Sequence, residues 1–190
     1  AINYAMTSPL TTGGIRGGRK RLTKRFYPRT FNLGCRKALF ESLGGFDETM
    51  RYGEDIDFSM RLYEAGSRVA LLPEAVLYHK RRVDLRKFYR QVWHSGTARV
   101  ELSRRHPGSM RLTYLLPSLF VVTTLVVTLL ALWCPWFWLY HLLFIVSIFA
   151  DALYRTHSVA VAWRAVVASF VQLSGYGIGY LSQRVKRCKA

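Results

Sequence analysis

The apolar positions change their rhythm once along this chain. Before Pro107 they come in short groups separated by charge, and after it they run almost unbroken. In "YGEDIDFSMRLYEAG", Ile56, Met60 and Tyr63 fall on one helical face, and Phe58 and Leu62 widen it. Glu54, Asp55 and Asp57 occupy the first turn, where exposed N–H groups favour carboxylates, and Gly66 reads as the stop. Asp57 precedes Arg61 by one turn, so a surface i, i+4 ion pair is expected. A shorter helix is expected around Lys37 to Leu43, closed by a Gly-Gly turn. "RVALLPEAVLYH" reads as two short strands, Val69 to Leu72 and Ala75 to Tyr78, about a turn at Pro73 and Glu74. Helices alternating with strands imply an α/β domain.

Residues 83–106 predict one long helix, with Leu85, Phe88, Tyr89, Val92 and Trp93 at helical spacing. Its mixture of basic and aromatic residues suits a helix lying against a membrane surface or beneath a domain. Thr113 to Trp133 is then uncharged, and about 20 such residues suffice to span a bilayer core. "PWFWLYHLLFIVSIFA" follows a minimal Cys134-Pro135 turn and carries the aromatic residues of an interfacial belt. The third stretch, Ser158 to Leu181, is weaker, and Arg164, Ala168, Gln172, Gly175 and Gly179 line up on one of its faces.

Charge orients these segments. Arg104, Arg105 and Arg111 flank the first, and Arg184, Lys186, Arg187 and Lys189 fill the tail. If both groups stay on the cytoplasmic side, the number of crossings is even. A two-span hairpin followed by an interfacial or re-entrant third segment is therefore expected, with three full spans as the alternative.

The net charge is +17, divided as +12 before residue 113 and +5 after it. "TTGGIRGGRKRLTKRFYPR" holds seven basic residues, four glycines and no acid, and reads as a mobile basic loop ending at Arg29. Such charge finds anionic lipid, and it also draws a phosphorylated substrate. No nucleic-acid module surrounds the loop, so nucleic acid is not an expected partner. Cys35, Cys134 and Cys188 are far apart and in no C-x-x-C arrangement, which suggests neither a disulfide framework nor a zinc site. "AINYAMTSPL" reads as a helix already in progress, so the sequence is taken as the C-terminal piece of a longer chain.

"FNLGCRKALFESLGGFDETMRYGEDIDFSMRLYEAGSRVALLPEAVLYHKRR", Phe31 to Arg82, resembles the C-terminal half of the catalytic domain of family-two glycosyltransferases. The downstream "FYRQVWHSGTARVELSRRHPGS" and the apolar tail are similar to membrane-bound bacterial members. The resemblance implies a partial GT-A domain over residues 1–82 without its nucleotide-binding half. An amphipathic interfacial helix and linker would follow over 83–112, then a membrane region of two or three helices over 113–190. It implies an inverting transfer of a sugar from a nucleotide-sugar donor to a lipid-linked or cell-surface polysaccharide acceptor, at the cytoplasmic face of the bacterial inner membrane.

In that reading Asp55 is the general base, Glu54 and Asn32 hold substrate, and Arg81 and Arg82 neutralise the donor diphosphate. His79 joins a divalent Mg or Mn ion, most of whose ligands lie in the missing half. Thr30 stands where the family commonly has Gly. The family's metal-binding Asp-x-Asp has no counterpart here, since the only instance, Asp55 to Asp57, lies inside the base motif. Residues 1–190 alone are thus expected to be inactive. The competing reading from the charge pattern is a non-catalytic basic membrane protein that binds anionic lipid or a partner.

Overall fold

The computed structural model describes residues 1–12, 26–72, 74–78 and 84–188, the Arg187 side chain excepted. Among these residues the architecture is helical. The helices are α1 (Ile2–Thr7), α2 (Pro9–Thr12), α3 (Lys37–Ser42), α4 (Glu54–Glu64), α5 (Leu85–Arg105), α6 (Leu116–Leu130), α7 (Trp138–Thr156) and α8 (Val159–Cys188). The contacts form two compact units. The first holds Ala1–Gly18, Arg81–Val100 and Met110–Ala190; the second holds Arg19–Lys80 and Glu101–Ser109. Residues 1–12 therefore belong to a different unit from residues 26–72, with which the sequence grouped them.

No strand forms among the described residues, which departs from the expected α/β pattern. Residues 69–72 and 75–78 carry no helix or strand, and Leu72, Val76, Leu77 and Tyr78 stay exposed. A strand exists only as part of a ladder, and no described residue supplies one here. β-propensity without a partner leaves an unpaired segment.

The first unit is built around α8. "GYGIG", Gly175 to Gly179, sends alternate glycines to opposite sides of the helix, because two residues turn about 200°. A Cβ added at Gly179 would stand 2.2 Å from the Trp93 carbonyl oxygen, and one at Gly175 would meet Val92 at 2.6 Å. Both glycines let α5 approach, and α5 answers with Gly96, where a Cβ would lie 2.2 Å from the Tyr176 carbonyl. Gly177, on the other side, passes the Pro117 carbonyl at a spacing that leaves 2.3 Å for a Cβ. Phe88 and Val92 of α5 complete this contact with Ala168 of α8 and with Ala5 and Met6 of α1.

Asp151 of α7 is the only acid after residue 113, and it is fully engaged. Tyr4 of α1 donates its hydroxyl to Asp151 Oδ2 at 2.5 Å, Ser8 donates at 3.2 Å, and Arg155 donates from Nε at 2.9 Å. The outer faces of α6 and α7 are apolar, with Leu119, Leu125, Leu142 and Leu143 among the exposed side chains.

Among the described residues two helices are long and apolar enough to cross a membrane: Pro135–Thr156, of 22 residues and mean hydropathy 1.7, and Val159–Lys186, of 28 residues and mean hydropathy 1.3. The first apolar stretch, expected to be a full span, forms only the 15-residue helix α6. At 1.5 Å per residue that is about 22 Å, short of a hydrocarbon core of about 30 Å. The weakest sequence signal thus gives the longest helix. Its small residues lower the hydropathy because they serve close packing, with Ala162, Ala165 and Ala168 all buried.

The glycine contacts predict a position-specific cost. Gly179→Leu drives a side chain into the Trp93 backbone, which cannot rotate away, so a loss of roughly 1 to 3 kcal/mol or more is expected. Ile178→Leu, at an exposed neighbouring position, should be nearly neutral. Thermal unfolding of both variants in detergent checks this, and equal midpoints would exclude the close approach.

Candidate functional site

The site is assembled in the second unit on α4. Gly53 precedes the helix at φ 86°, a left-handed turn that suits glycine. The helix ends as the sequence predicts. Gly66 adopts φ 71°, its N–H bonds to the Tyr63 carbonyl, and the Ser67 N–H bonds to the Leu62 carbonyl at 2.9 Å. This is the Schellman arrangement. Phe58 is fully buried and packs against the rings of Phe40 and Phe46, at centroid distances of 5.0 and 5.5 Å. Met50, Ile56, Met60 and Leu102 form the other part of this core.

The three acids of the first turn go different ways. Asp57 lies 200° around the helix from Asp55 and is 3% exposed. Its Oδ2 accepts from Arg61 Nε at 2.9 Å, and its Oδ1 faces His106 Nε2 at 2.9 Å. The expected Asp57–Arg61 pair is present, but it is buried, not on the surface. Removing one member of a buried pair costs roughly 3 to 5 kcal/mol, against ~0.2 to 0.5 for an exposed helical pair. Arg61 also donates to the carbonyls of Leu43 and Gly45, so it fastens the Gly-Gly turn to α4.

Asp55, by contrast, is partly open. Its Oδ1 accepts from the Ile56 N–H at 2.8 Å and from Arg29 NH1 at 3.5 Å, while Oδ2 takes no hydrogen bond from a described residue. Arg29 is delivered by residues 26–29, which run antiparallel to α4 with one contact at each turn. Phe26 exchanges two hydrogen bonds with the Tyr63 hydroxyl, Ser59 donates to the Pro28 carbonyl at 3.4 Å, and Arg29 reaches Asp55. The end of the expected mobile loop is therefore packed. Residues 13–25 of that loop lie outside the described residues.

Glu54 is half-buried beside Asp55 and has no hydrogen bond or ion pair to a described residue. Asn32 is exposed, and its Oδ1 accepts the Arg29 N–H at 2.6 Å, which shapes the turn that presents Arg29. Asn32 is thus joined to Asp55 through Arg29. His79, Arg81 and Arg82 lie outside the described residues. Among the described residues no group of three or more His, Cys, Asp or Glu side chains is arranged to hold a metal ion.

On the Asp57 side lies an open cleft of about 670 Å³, lined by residues that include Asp47, Thr49, Arg61, Glu64, Arg105 and His106. Sequence reasoning missed Asp47, Glu64, Arg105 and His106. His106 is 7% exposed, and its Nδ1 faces Glu64 Oε1 at 2.6 Å. Arg105 pairs with Asp47 and with Glu101, and it donates to the Thr49 hydroxyl at 3.0 Å. Arg104 also pairs with Glu101, at 2.9 Å. The signal available was "RRHPGS": Pro107 and Gly108, at φ 83°, force a turn that stops α5 and leaves His106 at its end.

Residues 18–171 match the family described as glycosyl transferase family group 2. The chain belongs to this family. It is also 43% identical over 74 residues to the pre-mycofactocin glycosyltransferases of two strains of Mycobacterium tuberculosis. That match covers 38% of this chain and 16% of each relative, so the match spans a small part of the relatives' length. No solved structure matches.

The Asp47 cluster carries a pH signature. The Thr49 hydroxyl, then the Arg105 guanidinium and the Thr49 N–H, pull the Asp47 carboxyl from the ordinary 3.8 down to about 2. Because the folded value is the lower one, its stabilisation is complete above the ordinary value and fades as pH falls towards the folded value. The gap in thermal midpoint between wild type and Asp47→Asn should be constant above pH 5 and should close between about pH 4 and 2. A gap that ignores pH would show that the asparagine acts by altered packing instead.

Proposed function

We propose that the protein is an inverting glycosyltransferase of GT-A type. It moves a sugar from a nucleotide-sugar donor to a lipid-linked or cell-surface polysaccharide acceptor. The observation that carries this reading is Asp55. It stands at the mouth of α4 with one oxygen anchored by the Ile56 N–H and Arg29, and with Oδ2 unengaged among the described residues.

A base must hold a lone pair within hydrogen-bond reach of the proton it removes. Asp55 Oδ2 takes the proton from the acceptor hydroxyl as that oxygen attacks the anomeric carbon. The nucleoside diphosphate leaves with the bonding pair from the opposite face, so the anomeric configuration inverts. Glu54 holds neighbouring acceptor hydroxyls. Arg29 stands 3.5 Å from Asp55 Oδ1, opposite the oxygen that takes the proton. Asn32 serves through the Arg29 turn and its exposed amide. Arg81 and Arg82 serve the donor diphosphate. His79 is the proposed contact to Mg or Mn, a Lewis acid suited to diphosphate.

The exposed apolar faces of α6 and α7 support a seat in the cytoplasmic membrane of a bacterium, with the site facing the cytoplasm and anionic lipid beside the basic residues. A second acceptor, pre-mycofactocin, is favoured by the 43% identity to the relatives of that name.

Asp55→Asn tests the base. Size and most hydrogen bonding are kept while the basicity is lost, so transfer should fall by the ~10²- to 10⁴-fold typical of a lost general base. The assay is sugar transfer by the complete protein in native membranes, with UDP-glucose, UDP-N-acetylglucosamine and GDP-mannose offered in turn, and donor binding followed alongside. Turnover near wild type would overturn the assignment, because a carboxamide cannot take the proton.

A further inference from the structure

The proposed chemistry leaves His106 without a role, although it is buried at the centre of the polar contacts of α4. Both of its ring nitrogens are engaged, Nε2 with Asp57 Oδ1 at 2.9 Å and Nδ1 with Glu64 Oε1 at 2.6 Å. An acid or base must turn one nitrogen towards the reacting atoms, and here neither is free to do so.

The two carboxylates are seven residues apart, on one face of α4 and two turns from each other. A single contact would let the helix rotate about its axis, whereas two contacts at different heights fix both rotation and slide. Arg61 adds a third tie from the same face, to the Leu43 and Gly45 carbonyls. Asp55 leaves the helix about 200° from Asp57, so the rotation that His106 fixes is also the one that sets the direction of Asp55.

We propose that His106 is a positioning residue for sugar transfer, holding α4 in the rotation that aims Asp55 Oδ2 at the acceptor hydroxyl. This rests on the reading of Asp55 as the base. It acts through Asp57 and Glu64, which hold both of its ring nitrogens.

The test uses His106→Ala, His106→Gln, Asp57→Asn and the His106→Ala/Asp57→Asn double variant of the complete protein, assayed with whichever of the three nucleotide sugars the wild type turns over. Amide hydrogen exchange over residues 54–60 is measured on the same samples. Misplacement of a reacting group by about 1 Å costs up to ~10²-fold. His106→Ala should therefore lower kcat by roughly 10- to 100-fold with the donor KM unchanged, and exchange over 54–60 should quicken.

His106→Gln keeps one N–H donor and should recover part of both. Should His106→Ala not fold, the same split between kcat and KM is read in His106→Gln. The double variant should lose less than the product of the two single losses, since both changes break one shared contact while Asp57→Asn also weakens the Arg61 pair. Faster exchange with unchanged kcat would make His106 purely structural, and losses that multiply would deny the route through Asp57. Either result overturns the proposal. Failure of the base reading shows separately, as turnover retained in Asp55→Asn.

Discussion

The second unit depends on one buried carboxylate. Taking Asp57 out of water carries an effective penalty of several kcal/mol, which only well-placed partners offset. Arg61 and His106 supply those partners from different segments, and each is itself tied further on, to the Leu43 and Gly45 carbonyls and to Glu64. The Gly-Gly turn, α4 and the end of α5 are therefore located by one charge. The apolar core around them is modest, with Met50, Ile56, Met60 and Leu102 on one side and three phenylalanines on the other. Apolar packing of that kind tolerates small rotations of a helix. Directional bonds to a buried carboxylate do not, so polar contacts set the geometry that the apolar ones stabilise.

The first unit solves the opposite problem. The outer faces of α6 and α7 are apolar, and where lipid covers such faces apolar surface gains little by turning inward. Close backbone approach takes over. Gly96 on α5 and Gly175, Gly177 and Gly179 on α8 remove the side chains that would keep the helices apart. Polar groups inside such a bundle need partners within it, and Asp151 has them in Tyr4, Ser8 and Arg155.

Sequence alone showed α4 from its acidic mouth to Gly66, the long helix α5 and the three apolar segments, because each leaves a periodic or local trace. The Asp57–Arg61 pair was readable for the same reason, being one helical turn long. His106 was not, since it meets Asp57 across 49 residues and no spacing rule connects them. Burial of Asp57 was hidden too, because an acid in a first turn looks solvent-facing until a partner arrives from elsewhere. The strands at 69–78 failed through the reverse error. Their propensity was visible, while the ladder that propensity requires is not supplied by any described residue. The brevity of α6 follows from local turns at Leu112–Tyr114 and after Leu130, which an uncharged run of 21 residues does not reveal.

Three acids in one turn of a chain with net charge +17 invite a single explanation, yet helix geometry divides them. Because Asp55 and Asp57 stand about 200° apart, they leave α4 in nearly opposite directions. Burying Asp57 against Arg61 and His106 obliges Asp55 to face the other way, where Arg29 engages one of its oxygens and leaves the second open. Glu54, half a turn or less from Asp55, has no partner among the described residues. The buried acid and the two facing away from it are thus consequences of a single packing choice, and among the described residues no positive group engages Glu54 or Asp55 Oδ2.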